Sequence, residues 1–394
     1  MFYLTIFIIL AIVGLLNLQF TDKLFRQLSL PAVTLLLIGI AGLRYETGGD
    51  WDVYTRLFNG FPTLEQILLQ PSLIHNRHAE EAFLLLGSII RQFGGSVQVL
   101  FFVVSALNLT LIAATLPRYT KYPIIALLAY YSILYFNLEM IYIRQATAVA
   151  LCFYALHYVE QKRIVPYMLM VLLACLFHRV AVVMIPVYFF IDKRLPSWVY
   201  LTVVGVGAAI MFAGIPWIKE IFMTVASWLG EKYTRKAEMY TTSDKFAVTR
   251  ILSIGYYLNL LLFAGLLFFK RQIDEHPYGT IHLNMFFISL CLYYYCFELV
   301  EVSNRMRLFF LISIIVLLPL MLEALSCFAN RLPVYLVVVA YCFSFSAHIF
   351  LEKPQAAAYN PYQNYIDYQL NPRPSDGKAR LERSHKAFDK ERKR

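Results

Sequence analysis

The chain has 394 residues, of which 59% are hydrophobic and 15% are charged. Because a soluble domain carries about a quarter charged residues, this composition excludes a soluble enzyme and predicts a protein that crosses a membrane several times. The formal net charge of +10 indicates no nucleic-acid partner, since the basic residues gather in short loops between apolar runs and at the C-terminal end, as membrane topology requires.

Apolar runs follow one another along the chain, and most are close to the ~20 residues that a helix needs to cross a bilayer. They lie near 1–20, 97–116, 122–140, 142–159, 198–215, 250–269, 280–298, 308–326 and 332–350, with a shorter run over 28–43. The run 164–191 is interrupted at His178, which predicts either one kinked span or two half-length helices. Residues 62–96 favour interfacial or re-entrant helices. The predicted fold class is therefore all-α, a polytopic integral membrane protein with roughly 10–13 transmembrane or half-length helices.

Composition separates the main part of the chain from its C-terminal end. We interpret residues 1–350 as a single transmembrane domain and residues 351–394 as a basic tail, partly disordered over about its last 20 residues.

The six cysteines lie in or beside apolar runs without CxxC spacing, which predicts neither a disulfide framework nor a metal site. If the basic connectors are cytoplasmic, the other polar segments share the opposite membrane face. Treating 164–191 as one span weakens that segregation, so we favour two half-length helices there.

The most unusual polar stretch runs from Arg44 to Tyr54, directly after an apolar run. It contains an arginine, the glycine pair that ends at Gly49, and then Asp50 and Trp51. Lipid does not tolerate such a segment, so it is either a surface turn or the lining of a polar site.

Further polar groups interrupt apolar segments downstream. Glu80 opens an apolar stretch, where an acid is also favoured by the helix dipole. Arg144 and Gln145 precede a run of small residues, although an arginine at a helix end commonly extends toward the interface. His178 and Arg179 lie deep in an apolar run, where a charged pair is costly enough to make function the first hypothesis.

The last polar segment includes Glu301 and Arg305, which are four residues apart and can face each other on a helix.

Arginine binds phosphate oxygens in pairs and stays charged, so several arginines near the membrane boundary indicate an anionic lipid head group, such as a diphosphate. The chain has no Walker loop and no GxGxxG motif, and we expect no cofactor and no metal. The candidate cations are Arg44, Arg144, Arg179, Arg305 and Arg307.

These segments together resemble the EpsG family of bacterial membrane proteins, relatives of the Wzy-type polysaccharide polymerases. The matching pieces are Arg44 with Gly48-Gly49-Asp50-Trp51 and Tyr54, Glu80 with Phe83, Ile143-Arg144-Gln145-Ala146, Phe177-His178, Asn304-Arg305 and Asn360-Pro361-Tyr362. The chain departs from the family pattern where Asp50 follows the glycine pair directly, and where the basic Arg179 follows His178.

The resemblance implies a polymerase, a glycosyltransferase that joins polyprenyl-diphosphate-linked oligosaccharide repeat units without a metal. It would act at the outer face of the bacterial cytoplasmic membrane, in exopolysaccharide or O-antigen synthesis. Its partners would be the lipid-linked substrate and membrane lipid, with a chain-length regulator and a flippase as further candidates. We expect the general base among His178, Asp50 and Glu80. Diphosphate or sugar binding is expected from Arg44, Arg144, Arg305, Arg307, Arg179, Gly49, Trp51, Tyr54, Gln145 and Asn304.

Three alternatives remain open at this stage. A lipid-linked oligosaccharide transporter also needs arginines in a cavity, but it commonly shows internal repeats. A membrane O-acyltransferase would use a histidine in an apolar helix as its base, which leaves the glycine pair and the arginines unexplained. A glycan ligase shares the lipid-linked donor and differs only in its acceptor.

Overall fold

The structure is a computed structural model that describes residues 1–20, 23–75, 79–242, 254–372 and 374–392. It is 79% helical, and within the described residues the only β pairing is one isolated bridge, Arg44 to Asn364. In chain order the α-helices are α1 (Phe2–Gln19), α2 (Lys23–Gly42), α3 (Trp51–Asn59), α4 (Leu64–Leu69), α5 (Glu81–Gln92), α6 (Val97–Tyr119), α7 (Pro123–Tyr130), α8 (Phe136–Leu138), α9 (Ile143–Glu160), α10 (Ile164–Phe177), α11 (Ser197–Ala213), α12 (Ile218–Trp228), α13 (Glu231–Thr242), α14 (Ile254–Phe268), α15 (Lys270–Glu275), α16 (Gly279–Tyr295), α17 (Val300–Leu311), α18 (Ile314–Glu323), α19 (Phe328–Phe350), α20 (Tyr365–Leu370) and α21 (Gly377–Arg392). Short 3-10 helices cover Pro71–Ile74, Arg179–Met184, Pro186–Phe189 and Pro354–Ala356, and a π-helix covers Tyr131–Tyr135.

Several of these helices are long and apolar enough to cross a membrane. Among the described residues there are five: Phe2–Gln19, Leu24–Gly42, Val97–Tyr119, Val300–Glu323 and Phe328–Phe350. A sixth candidate is the pair α11 and α12, which is bent by 98° at its break. Shorter apolar helices lie at Pro123–Leu138, Ile164–Phe177, Arg179–Phe189 and Tyr257–Phe268. The prediction of an all-α polytopic membrane protein is confirmed.

The interrupted run 164–191 forms a helix that ends at Phe177, followed by 3-10 turns from Arg179. The helix therefore stops immediately before His178, where the sequence places the interruption. The first residues of the predicted run 250–269 lie outside the described residues, and α14 covers most of the rest.

Contacts divide the chain into two compact units. The first comprises Met1–Ala155, Met168–Arg179 and Leu325–Arg394, and the second comprises Leu156–Tyr167 and Val180–Ala324.

A group of buried tyrosines organises the core of the first unit, where α1 and α2 pack with α6, α7 and α19. The Tyr131 hydroxyl donates to the Tyr3 carbonyl at 2.9 Å, and the Tyr135 hydroxyl donates to the Leu37 carbonyl at 2.6 Å. The Ser346 hydroxyl donates to the Ser132 carbonyl at 2.6 Å. The Ser132 carbonyl belongs to the π-helix, which leaves backbone carbonyls outside the regular α-helical hydrogen-bond pattern. The three contacts provide hydrogen-bond partners for buried hydroxyl and carbonyl groups, which are costly to leave unpaired in apolar surroundings.

The sequence predicts partial disorder over about the last 20 residues of the C-terminal tail, and in the described part of this region α21 covers Gly377–Arg392. Its Arg380 is only 1% exposed and bonds to the stretch that follows α2. One face of α21 is buried, and its contacts with the stretch after α2 are not indicated by the basic composition of the tail.

In the second unit, α16 packs on α11 and α17. Helix α11 ends at Ala213 and is followed by Gly214, whose φ of +62° is the left-handed conformation that glycine adopts without strain. After this break, the Glu298 carboxylate accepts the backbone N–H groups of Trp217 and Ile218 at 2.8 and 3.0 Å. An acid at this position satisfies the unpaired donors at the start of α12.

Candidate active site

Four predicted site residues of the first unit meet at the ends of different helices. Glu80 is the N-cap residue of α5, and Arg144 lies in the first turn of α9. His178 directly follows α10, and Tyr54 lies in α3. The helix dipole favours the negative charge of Glu80 at the start of α5, but it disfavours the positive charge of Arg144 in the first turn of α9. Arg144 therefore needs a nearby negative charge.

The Glu80 carboxylate supplies that charge and also contacts the histidine. Its Oε2 accepts from Arg144 Nη1 at 2.5 Å, and its Oε1 lies 3.2 Å from His178 Nδ1. The Glu80 and His178 side chains are each 12% exposed. The structure thus joins three residues that are 64 and 98 positions apart in the sequence.

The electrostatics of this cluster keep the carboxylate ionised. Burial raises the pKa of Glu80, but the hydrogen bond with His178 and the charge of Arg144 outweigh it and lower that pKa from 4.5 to about 2. Glu80 is therefore a weak base and a strong hydrogen-bond acceptor. His178 Nε2 is buried and has no hydrogen-bond partner among the described residues.

Tyr54 completes the cluster from the side of the Arg44–Tyr54 stretch. Its hydroxyl is hydrogen-bonded to Arg144, and its ring packs edge-on against Phe83, with centroids 5.9 Å apart. Burial raises the pKa of Tyr54, so its phenol stays neutral.

The glycine pair lets the same stretch approach the turn before α9. Gly48 has a φ of +105°, and a Cβ on it would lie 2.7 Å from the carbonyl oxygen of Met140. A Cβ on Gly49 would meet the side chain of Ile141 at 3.2 Å. A side chain at position 48 is therefore excluded by both conformation and space. Trp51 is buried in the first turn of α3, and Asp50 is the N-cap residue of that helix.

Arg179 occupies a separate position beside this cluster. Its guanidinium bonds to Glu81 Oε1 at 3.2 Å, and its side chain is 72% exposed. The two adjacent acids therefore have different partners: Glu80 holds the inner pair, and Glu81 holds the exposed arginine.

Arg44 lies apart from the cluster in the interior of the same unit. Its side chain is fully buried, its guanidinium stands 4.3 Å from the Phe101 ring centroid, and its Nη1 donates to the Ala41 carbonyl at 2.5 Å. Burial lowers the pKa of Arg44, while the charge of Glu139 opposes that change. In this position the guanidinium is not exposed to a substrate.

Glu139 was not among the predicted site residues, yet it is fully buried close to Arg44. It accepts from the Tyr130 hydroxyl at 2.6 Å and from Asn108 Nδ2 at 3.2 Å. The only sequence signal for this group is an acid at the end of an apolar run. That signal does not identify its partners.

The remaining predicted residues belong to the second unit or are buried nearby in the first. In the second unit, Arg305 Nε donates to Glu301 Oε1 at 2.9 Å, which confirms the pairing predicted from their spacing. The Arg307 guanidinium lies 4.9 Å from the Tyr293 ring centroid, and Asn304 is half-buried on the same helix. In the first unit, Gln145 is 2% exposed.

Taken together, the first unit offers a carboxylate that orients both a histidine and an arginine. Such a group can remove a proton through the free histidine nitrogen and place a fixed positive charge beside the reacting atoms. Among the described residues, no group of three or more His, Cys, Asp or Glu side chains is placed to hold a metal ion.

Comparison with known proteins gives one match. The model of the EpsG family matches residues 27–365, a range that includes every residue of the cluster. No curated protein and no solved structure matches the chain significantly. Because the match covers most of the sequence, the chain is a member of the EpsG family.

Proposed function

We propose that this protein joins polyprenyl-diphosphate-linked oligosaccharide repeat units at the outer face of the bacterial cytoplasmic membrane. Membership of the EpsG family supports a polysaccharide polymerase-type function in a bacterial membrane in general. The lipid-linked substrate, the residue roles and the orientation of the site are part of the proposal.

The observation that carries the proposal is the double contact of Glu80. One oxygen binds Arg144 and the other binds His178 Nδ1, which leaves Nε2 without a partner among the described residues. A carboxylate on one ring nitrogen fixes the tautomer in which the other nitrogen accepts a proton. Glu80 is thus an orienting residue, and His178 is the general base.

The proposed step is a substitution at the anomeric carbon of the growing glycan. A hydroxyl oxygen of the incoming lipid-linked unit forms a bond to that carbon while the bond to the diphosphate oxygen breaks. The hydroxyl proton passes to His178 Nε2, and the diphosphate leaves with the electron pair. Because diphosphate is already a good leaving group, the protein mainly neutralises its charge and positions the acceptor.

Arginines supply the positive charge in this scheme. Arg144 and the exposed Arg179 serve it at this cluster in the first unit. Arg305 and Arg307 of the second unit are separate candidates for diphosphate binding. We assign Arg44 to the stability of the interior instead, because its side chain is fully buried. Asp50 is assigned to the start of α3, where an acid is favoured.

The test compares glycan chain length in a strain that lacks the protein, complemented with wild type, His178→Ala or Arg305→Ala at matched protein level. The proposal expects single lipid-linked repeats to accumulate in both variant strains, in a form accessible from outside the membrane. Accumulation on the inner side would favour the transporter. Polymer of normal length that lacks only an acyl substituent would overturn the proposal in favour of an acyltransferase.

A further inference from the structure

The stretch that leads into the candidate site contains a strained residue. Glu46 has a φ of +42°, a left-handed conformation that residues with a side chain rarely adopt. Such a conformation persists when surrounding contacts hold it in place, and it is frequent near functional sites. The contacts that hold Glu46 come from the C-terminal tail.

Arg380 of α21 makes the central contact. Its side chain is 1% exposed, and its guanidinium donates to the Glu46 carbonyl at 3.0 Å, the Pro361 carbonyl at 2.7 Å and Asp376 Oδ1 at 2.8 Å. The Ser375 hydroxyl donates to the Glu46 carboxylate. A planar guanidinium can join three acceptors at fixed angles, which a lysine cannot do.

Neighbouring residues extend this contact along both segments. A Cβ on Gly377 would lie 2.6 Å from Glu46, so α21 approaches the stretch closely at its first residue. Tyr368 stacks on Tyr45 with ring centroids 3.9 Å apart. The backbone N–H of Tyr45 donates to the Gln363 carbonyl at 2.8 Å. The tail therefore holds this stretch through backbone and side-chain contacts alike.

The held stretch continues directly into the site. Two residues after Glu46, the Gly48 N–H donates to the Ala358 carbonyl at 2.9 Å. Helix α3 then begins at Trp51 and carries Tyr54, which is hydrogen-bonded to Arg144. A change in the conformation of Glu46 would move the start of α3 and with it the hydroxyl that contacts Arg144.

The family match ends at residue 365, before α21 begins. We propose that Arg380, outside the matched region, is a positioning residue that fixes the Arg44–Tyr54 stretch and thereby the Arg144 end of the active site. The catalytic part of this inference rests on the proposed polymerase function. The structural part can be tested without any glycan.

The structural test is hydrogen exchange of the purified full-length protein in detergent, comparing wild type with Arg380→Ala. The expected result is exchange about tenfold faster or more in peptides from 45–54, because a buried charged hydrogen-bond network is lost. Peptides from α6 should exchange at the wild-type rate. Arg383→Ala is the matched control, since it removes the same charge from the same helix at a side chain that is 65% exposed.

Two exchange results would overturn the inference: unchanged exchange in 45–54, or an equal increase throughout the chain. The catalytic test follows kcat and KM per folded molecule with a lipid-linked repeat unit. The expected result for Arg380→Ala is a kcat about tenfold lower with KM within about twofold of wild type, and partial recovery in Arg380→Lys. An unchanged kcat together with faster exchange would overturn the positioning role. If wild type itself does not polymerise, the proposed function fails while the exchange result still stands.

Discussion

Substitution of Glu80 by glutamine tests the central feature of the candidate site, because this one carboxylate contacts both His178, the proposed base, and Arg144. The pKa of Glu80 falls from 4.5 to about 2, and each factor of ten in proton affinity corresponds to about 1.4 kcal/mol. The ionised carboxylate is therefore favoured by about 3 kcal/mol in the folded protein. The side chain is only 12% exposed, so solvent screening reduces this value little.

In Glu80→Gln, Arg144 loses its counter-ion and His178 loses the acceptor that selects its tautomer. We expect a fall in kcat of about 100-fold or more, as for other histidine bases that lose their orienting carboxylate. The loss of the carboxylate charge beside the half-buried Arg144 should also lower the free energy of unfolding by about 2–3 kcal/mol. The assay is extension of a lipid-linked repeat unit by purified protein, normalised to folded material.

The matched control is Glu81→Gln, which removes the adjacent carboxylate from the exposed pair with Arg179. Because exposed ion pairs contribute little to stability, this variant should retain nearly wild-type stability, and its fall in kcat should be much smaller than that of Glu80→Gln. Equal effects of the two substitutions, or wild-type kcat in Glu80→Gln, would refute the assigned role of Glu80.

Three further predictions concern stability and pH. Gly48→Ala should destabilise the protein by about 2 kcal/mol more than Gly214→Ala in thermal unfolding, because both positions have positive φ but only the Gly48 Cβ collides with backbone. The depressed pKa of Glu80 means that its contribution is fully present above pH 4.5 and is lost as the pH falls toward about 2. The stability difference between wild type and Glu80→Gln should therefore shrink as the pH falls from about 4.5 toward 2 in pH-dependent denaturation. Arg44→Ala should lower the melting temperature more than Arg144→Ala, whereas Arg144→Ala should lower activity per folded molecule more than Arg44→Ala; the reverse order would contradict the separation of the two arginines.

The sequence predicts the fold class and points to the segments that meet in the candidate site, for clear physical reasons. Polar residues at the ends of apolar runs are costly in a membrane, so Glu80, Arg144 and His178 can be recognised without a structure. The pair Glu301 and Arg305 is also predictable, because helical spacing alone brings the two side chains together.

The partners of those residues could not be predicted, because the contacts join distant segments. Nothing in the local sequence indicates that Glu80 binds Arg144 and that Glu81 binds Arg179, since the two acids are adjacent and similar. Arg44 and Arg144 likewise look equivalent as arginines beside apolar runs, and only packing separates the buried one from the one at the site. The contact of Arg380 with Glu46 spans 334 positions, which no periodicity reveals.

The charge of the inner cluster suits a site that changes charge during the reaction. The charges of Glu80 and Arg144 compensate each other, so the partial burial of this ion pair is tolerable. In the proposed step, His178 gains a proton at the moment when negative charge develops on the leaving diphosphate. The proton that His178 gains in this step adds positive charge to the cluster, and that charge lowers the barrier.

Stability and activity should separate in a double variant of Glu80 and Arg144. Glu80→Gln leaves an excess positive charge and Arg144→Gln an excess negative one, so each single variant should lose about 2–3 kcal/mol in the free energy of unfolding. The double variant restores neutrality and should be more stable than the sum of the two losses implies, by about 1–3 kcal/mol of coupling. Its kcat should nevertheless stay as low as that of Glu80→Gln, because His178 still lacks its carboxylate. Additive losses in thermal unfolding, or recovery of kcat in the double variant, would show that charge balance and histidine orientation are not the two roles of Glu80.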